Sequence, residues 1–125
     1  MGVTKFENLI VWERSQDFAI KIYSFFSFNK DYGFRDQITR AAVSISNNIA
    51  EGFERESSKE FARYLKIAQA SNGEVRSMLY LSPKLKYLKG EEARKLIYQS
   101  NEISKMLFSL RRSVLENGSK RDTSS

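Results

Sequence analysis

Apolar and polar positions alternate with a helical period along most of this chain, and the pattern is richest from Gln37 to Arg55, QITRAAVSISNNIAEGFER. At about 100° per residue, Ile38, Ala41, Ala42, Ile45, Ile49, Gly52 and Phe53 fall on one broad arc, the core face of an amphipathic helix. Gln37, Arg40, Ser44, Asn48, Glu51 and Arg55 step by three or four and form a polar stripe on another side. Thr39, Val43, Ser46 and Ala50 occupy the remaining flank, and all are small. A helix patterned in this way is expected to touch protein on more than one side.

Three further helices follow from the same period. Leu9, Trp12, Phe18, Ile22 and Phe25/Phe26 predict a first helix, opened by Thr4 with Glu7 or by Asn8. The aromatic run Tyr23–Phe28 reads as its end, Trp12 as core packing, and Asn29 to Gly33 as the turn. The second helix is expected from Phe34 to Arg55. Ser57-Ser58-Lys59-Glu60 is a capping box for the third, whose stripe is Phe61, Leu65, Ala68, Asn72, Val75 and Leu79. Gly73 in its interior suggests close backbone approach. Pro83 should kink or stop it, because proline lacks the N–H that would bond Leu79; Leu85 and Leu88 would then lie in a short continuation. After Lys89-Gly90, Glu91 and Glu92 suit the positive end of a fourth helix. Its stripe is Leu96, Ser100, Ile103, Leu107, Leu110 and Val114, widened by Ile97, Met106, Phe108 and Leu115. Four amphipathic helices with short connections predict an all-α, antiparallel up-down-up-down four-helix bundle. One domain over residues 1–118 and a polar tail, 119–125, are expected.

Composition narrows the chemistry. The chain has 125 residues, 41% hydrophobic and 13% aromatic, enough to bury a core. No apolar run approaches the roughly 20 residues of a membrane span, and the N-terminus lacks the apolar stretch of a signal peptide, so a cytoplasmic protein without membrane contact is expected. The absence of Cys and His removes thiolate nucleophiles, disulfides, Cys/His zinc sites and a histidine base. No metal, cofactor or catalytic residue is expected, and the chain reads as a non-enzyme.

Charge points to partners. Residues 1–56 carry 7 Lys/Arg and 8 Asp/Glu, whereas residues 57–125 carry 14 and 7. Lys84, Lys86, Lys89, Arg94 and Lys95 cluster around the turn between helices three and four. Lys59, Arg63, Lys66, Arg111 and Arg112 fall nearer the opposite end, because those helices run antiparallel. Either group suits a solvated surface, or, repeated around an oligomer, a positive ring that binds the RNA or DNA backbone without reading sequence. Lys84, Lys86, Lys89, Arg94, Lys95, Arg111 and Arg112 are the candidate nucleic-acid contacts, with Tyr80, Tyr87 and Tyr98 near the first group. The stripe Gln37, Arg40, Ser44, Asn48, Glu51 and Arg55, together with Gly52, suits an intersubunit or interhelical hydrogen-bond network, or a ligand site.

RAAVSISNNIAEGFER followed by SSKEFARYLKIAQAS resembles the signature of the four-helix-bundle proteins encoded in bacterial 23S rRNA intervening sequences, also labelled S23 ribosomal protein. FENLIVWERS resembles that family's opening, and the likeness spans about residues 6–115. The matching motif positions are Arg40, Ser44, Asn48, Ala50, Glu51, Gly52, Arg55, Phe61, Leu65, Ala68 and Glu74. The resemblance implies a left-handed bundle assembled as a homopentameric ring. It also implies kinship with the accessory variability proteins of diversity-generating retroelements, basic pentamers that associate with a reverse transcriptase and nucleic acid. Ala70-Ser71, where the family usually has Gly-Ser, and Pro83 depart from the pattern, and both bear on helix three.

Three functions of different class follow: a nucleic-acid-binding oligomer, an adaptor that holds a protein partner such as a reverse transcriptase, and, least supported, an enzyme using Glu51 or a lysine.

Overall fold

The computed structural model describes residues 2–118, and the expected polar tail, 119–125, lies outside them. The helical periods become α1 (Ile10–Phe26), α2 (Tyr32–Phe53), α3 (Ser58–Leu81) and α4 (Gly90–Glu116). No strand occurs among the described residues. Each helix packs on its neighbour in sequence, α2 on α3 most extensively, and α4 closes on α1 over the smallest contact. The diagonal pairs do not meet among the described residues. This is the expected four-helix bundle, a consequence of short connections that return each helix antiparallel to the last.

The core is filled from all four helices. Phe18, Ile22 and Phe26 of α1, Ile38, Ile45 and Ile49 of α2, Leu65, Val75 and Leu79 of α3, and Leu96 and Leu107 of α4 are buried. Burial of each such side chain stabilises the fold by roughly 1.5–3 kcal/mol. Trp12 is half-buried against this core, with the Phe6 ring edge-on at 5.3 Å.

Helix ends show where local chemistry overrode the expected boundaries. Neither Thr4 nor Asn8 caps α1. Phe6–Asn8 instead form a 3-10 turn, and Leu9 precedes α1 without a side-chain cap. α2 begins two residues before Phe34, because the Asp31 carboxylate accepts from the Phe34 N–H at 3.2 Å. Gly33 therefore lies inside the helix. At α3, Ser57 Oγ accepts from the Glu60 N–H at 3.1 Å, while the Glu60 carboxylate turns to Arg63.

α3 stops at Leu81, just before Pro83, as expected. The short helical continuation does not form. The chain turns instead, with Lys86 in the left-handed region at φ 64°, and the Tyr87 N–H reaching Ser82 O at 2.9 Å. Leu88 returns to the core while Leu85 stays exposed. α4 then opens with Glu92 accepting from the Lys89 N–H at 2.9 Å.

Two packing expectations are corrected. Phe108 and Leu115 do not widen the core stripe of α4. Each follows a stripe residue by one position, about 100° round the helix, and each is exposed. Gly73 is not a point of close approach either, since a Cβ there would meet only the Arg76 guanidinium at 4.0 Å. The tightest glycine among the described residues is Gly52, where a Cβ would lie 2.5 Å from Tyr64 Cβ and 3.1 Å from the Phe61 ring. The small side of Gly52 lets α2 seat directly on α3.

Candidate nucleic-acid interface

The α1–α2 and α3–α4 connections lie at one end of the bundle and are joined there. The Tyr87 hydroxyl donates to Asp31 Oδ2 at 2.5 Å, and the Phe34 and Tyr87 rings meet edge to face at 5.1 Å. The Tyr87 bond, with the Phe34 amide, holds the Asp31 carboxyl below the usual carboxylate range. The same bond pushes the Tyr87 phenol up.

Lys84, Lys86 and Lys89 stand exposed on the α3–α4 connection, and Arg94 and Lys95 on the first turns of α4. Lys95 lies 3.8 Å from Glu91. Lys84, Lys86, Lys89 and Arg94 take part in none of the ion pairs found among the described residues. The fold thus gathers five of the seven candidate contacts at one end. The other two lie at the far end of α4 and are engaged within the chain. Arg111 is half-buried and donates from Nε to Ala62 O at 3.2 Å, and Arg112 donates to Glu116 at 3.3 Å.

The polar stripe of α2 runs along its seam with α3. Gln37 Nε2 donates to Glu74 at 3.1 Å, and the Ser44 and Ser71 hydroxyls lie 2.9 Å apart. Asn48 Nδ2 donates back to Ser44 O and Oγ, both at 2.8 Å. Arg55 donates to Glu51 at 2.9 Å and to the Tyr64 hydroxyl, and its guanidinium lies 4.9 Å from the Tyr64 ring centre. Arg63 lies 4.8 Å from the same ring. Glu60, hydrogen-bonded to Arg63, has its carboxyl held down. Most of the stripe is therefore an interhelical network. Arg40 is the exception: it is exposed beside Tyr23, Asp36 and Asn47 in the groove between α1 and α2.

Other polar contacts were not anticipated as a set. Asn72 and Ser100 are both fully buried; Asn72 Nδ2 donates to Ser100 O at 2.9 Å, and Ser100 Oγ to Asn72 Oδ1 at 2.8 Å. Arg76 adds a bond to Ser100 Oγ at 3.0 Å. The signal was present, since each polar residue interrupts an apolar stripe and a buried polar group requires a partner. Phe28, read only as the end of an aromatic run, is 94% exposed at the basic end. The α1–α4 seam carries a groove of about 380 Å³, where Ile20 and Tyr98 meet Arg14, Asp17 and Glu102.

Among the described residues no three His, Cys, Asp or Glu come together as a metal site, and no helix is long and apolar enough to cross a membrane.

No curated protein matches the chain. A crystal structure of a protein of unknown function from the S23 ribosomal protein family of Bacteroides thetaiotaomicron VPI-5482 matches it with a TM-score of 0.76 and 30% sequence identity, covering 82% of this chain and 98% of that one. The family model of the 23S rRNA-intervening sequence protein matches residues 7–109. With nearly all of the bundle matched, from the turn before α1 into the last turns of α4, the chain belongs to the 23S rRNA-intervening sequence protein family.

Proposed function

We propose that this chain is a non-enzymatic, cytoplasmic homopentamer that binds the phosphate backbone of RNA or DNA through its basic surfaces. The observation that carries the reading is the set Lys84, Lys86 and Lys89, exposed on one connection with no carboxylate paired to them among the described residues. An ammonium without an internal partner is available to displace counterions from phosphate, and five copies in a ring multiply the effect. Glu51, the motif carboxylate best suited to acid–base work, is held by Arg55 and Tyr64, which favours a structural role. Arg40, exposed and in none of the ion pairs among the described residues, is the stripe residue left to serve a subunit interface.

The test is fluorescence anisotropy of labelled RNA and DNA at two salt concentrations, with the protein mass measured by light scattering on the same sample. Binding should fall steeply with salt. Replacing Lys84, Lys86 and Lys89 together by Gln should weaken it and flatten the slope of log K against log salt by about 0.7–0.9 per lost contact. Arg40→Ala should lower the mass; an unchanged mass removes Arg40 from the interface, and an unchanged slope removes the lysines from the site.

A second reading, an adaptor that holds a protein such as a reverse transcriptase, is favoured by the α1–α4 groove. Its exposed Ile20 and Tyr98 suit a protein surface better than a phosphate backbone. A protein partner bound in the absence of any affinity for nucleic acid would support it.

A further inference from the structure

We propose that the basic end of the bundle selects single-stranded over duplex nucleic acid, with the Phe28 ring as the platform on which an unpaired base stacks. The inference rests on the backbone-binding reading and adds to it the form of nucleic acid and the residue that recognises it.

Phe28 is 94% exposed, and Tyr32, four residues on at the start of α2, is 61% exposed. A phenylalanine so exposed adds nothing to the core. Its position is fixed by what surrounds it: the chain reverses between α1 and α2 here, and the hydrogen bond from Tyr87 to Asp31 anchors this connection to the one bearing Lys84, Lys86 and Lys89. Phe28 is three residues from Asp31, and Lys86 is adjacent to Tyr87, so the exposed ring and the exposed lysines lie at the same end of the bundle although they are distant in sequence. Lys30 adds a further exposed ammonium beside Phe28. The Arg35 guanidinium lies over the Tyr32 ring, 4.7 Å from its centre, so the second ring already has a cation on one face.

Lysines beside an open aromatic face are the two elements of single-strand binding. The ammonium groups track the phosphates while rings stack on bases without regard to sequence. In a duplex the base faces are covered by their neighbours, so Phe28 has nothing to stack on and only the charge contribution remains. The lysine contacts then serve both forms, and the ring distinguishes them.

The measurement is anisotropy of a labelled 20-nucleotide oligo-dT, its RNA counterpart, and a blunt duplex of the same length, with wild type, Phe28→Ala, Phe28→Trp and the triple lysine-to-glutamine variant. Wild type should bind the single strands more tightly than the duplex. Phe28→Ala should weaken single-strand binding by about ten-fold, leave duplex binding and the salt slope unchanged, and be reversed by Phe28→Trp. The triple lysine variant should weaken all three probes. Wild type that binds none of them overturns the backbone-binding reading itself. Nucleic-acid binding that responds to the lysines but not to Phe28→Ala overturns the stacking role alone, as does an equal loss on strand and duplex. Vesicles of phosphatidylcholine with phosphatidylserine serve as the competing surface. Phe28-dependent binding to them, with no Phe28 effect on the single strands, would reassign the ring to lipid.

Discussion

Tyr87 and Asp31, 56 residues apart, are joined by a 2.5 Å hydrogen bond that ties together the two connections at the basic end of the bundle. Asp31 is at the same time the N-cap of α2. One carboxylate thus orients a helix start and holds the neighbouring connection against it.

The bond makes a defined contribution to pH dependence. The Asp31 pKa is lowered in the fold, so its stabilisation is present above the unfolded carboxylate value, about 3.9, and is lost as pH falls through the depressed value. The Tyr87 pKa is raised, so its contribution is present below about 10 and is lost as pH rises through the elevated value. Tyr87→Phe should therefore lower the urea midpoint by a constant amount near neutrality. The gap from wild type should narrow below about pH 4 and above about pH 10. A gap that stays constant over the whole range would show that the hydroxyl acts without Asp31.

Gly52 of α2 and Gly73 of α3 should respond in opposite directions. Gly52→Ala places a methyl against Tyr64 Cβ and the Phe61 ring and backbone, and should destabilise the bundle by about 1–3 kcal/mol. Gly73→Ala meets only the end of the Arg76 side chain, at 4.0 Å, and should stabilise it by up to about 1 kcal/mol through helix propensity. Urea denaturation of both variants checks the contrast, and equal effects would sink it.

Ser15 is fully buried in α1, and its hydroxyl has no hydrogen-bond partner among the described residues. Removing an unsatisfied buried polar group relieves a penalty of about 1–3 kcal/mol. Ser15→Ala should raise the unfolding free energy by about 1 kcal/mol or more, with helix propensity acting in the same direction. A loss of stability would mean that the hydroxyl is satisfied in solution.

Lys86 adopts φ 64°, a region that costs a residue with a Cβ roughly 1–2 kcal/mol. Glycine there relieves the crowding but gives the unfolded chain more freedom, by roughly 0.5–1 kcal/mol. Lys86→Gly should thus be neutral to slightly stabilising in thermal denaturation, while weakening nucleic-acid binding through the lost charge. Lys84→Gly, away from the left-handed position, should weaken binding with no gain in stability.

The architecture was legible because periodicity reports burial directly. Ile38, Ile45 and Ile49, or Leu96, Ser100, Ile103 and Leu107, lie on one line of a helix whatever their partners. What escaped was relational. Gly52 and Gly73 look alike in sequence, yet only Gly52 faces another helix closely enough to need the missing Cβ. Arg111 and Lys84 are both cations in the basic half of the chain, but Arg111 is drawn in to the Ala62 carbonyl while Lys84 stays exposed. The Tyr87–Asp31 bond depends on which connections share an end, a property of the assembled bundle. Phe28 belonged to an aromatic run whose members part ways in the fold: Phe26 is buried, Tyr23 and Phe25 face outward from the same helix, and Phe28 lies beyond its end.

The smallest contact in the bundle is the seam between its first and last helices, and this has a kinetic consequence. α2 and α3 are joined by a short link and share the largest contact, so their hairpin closes a small loop and can form early. The α1–α4 seam must wait until almost the whole chain has been drawn together, and it gains the least when it forms. Amides of α1 and α4 should exchange with solvent through partial openings that leave α2 and α3 protected. The bundle would then open along the seam that carries its apolar groove, well before it unfolds.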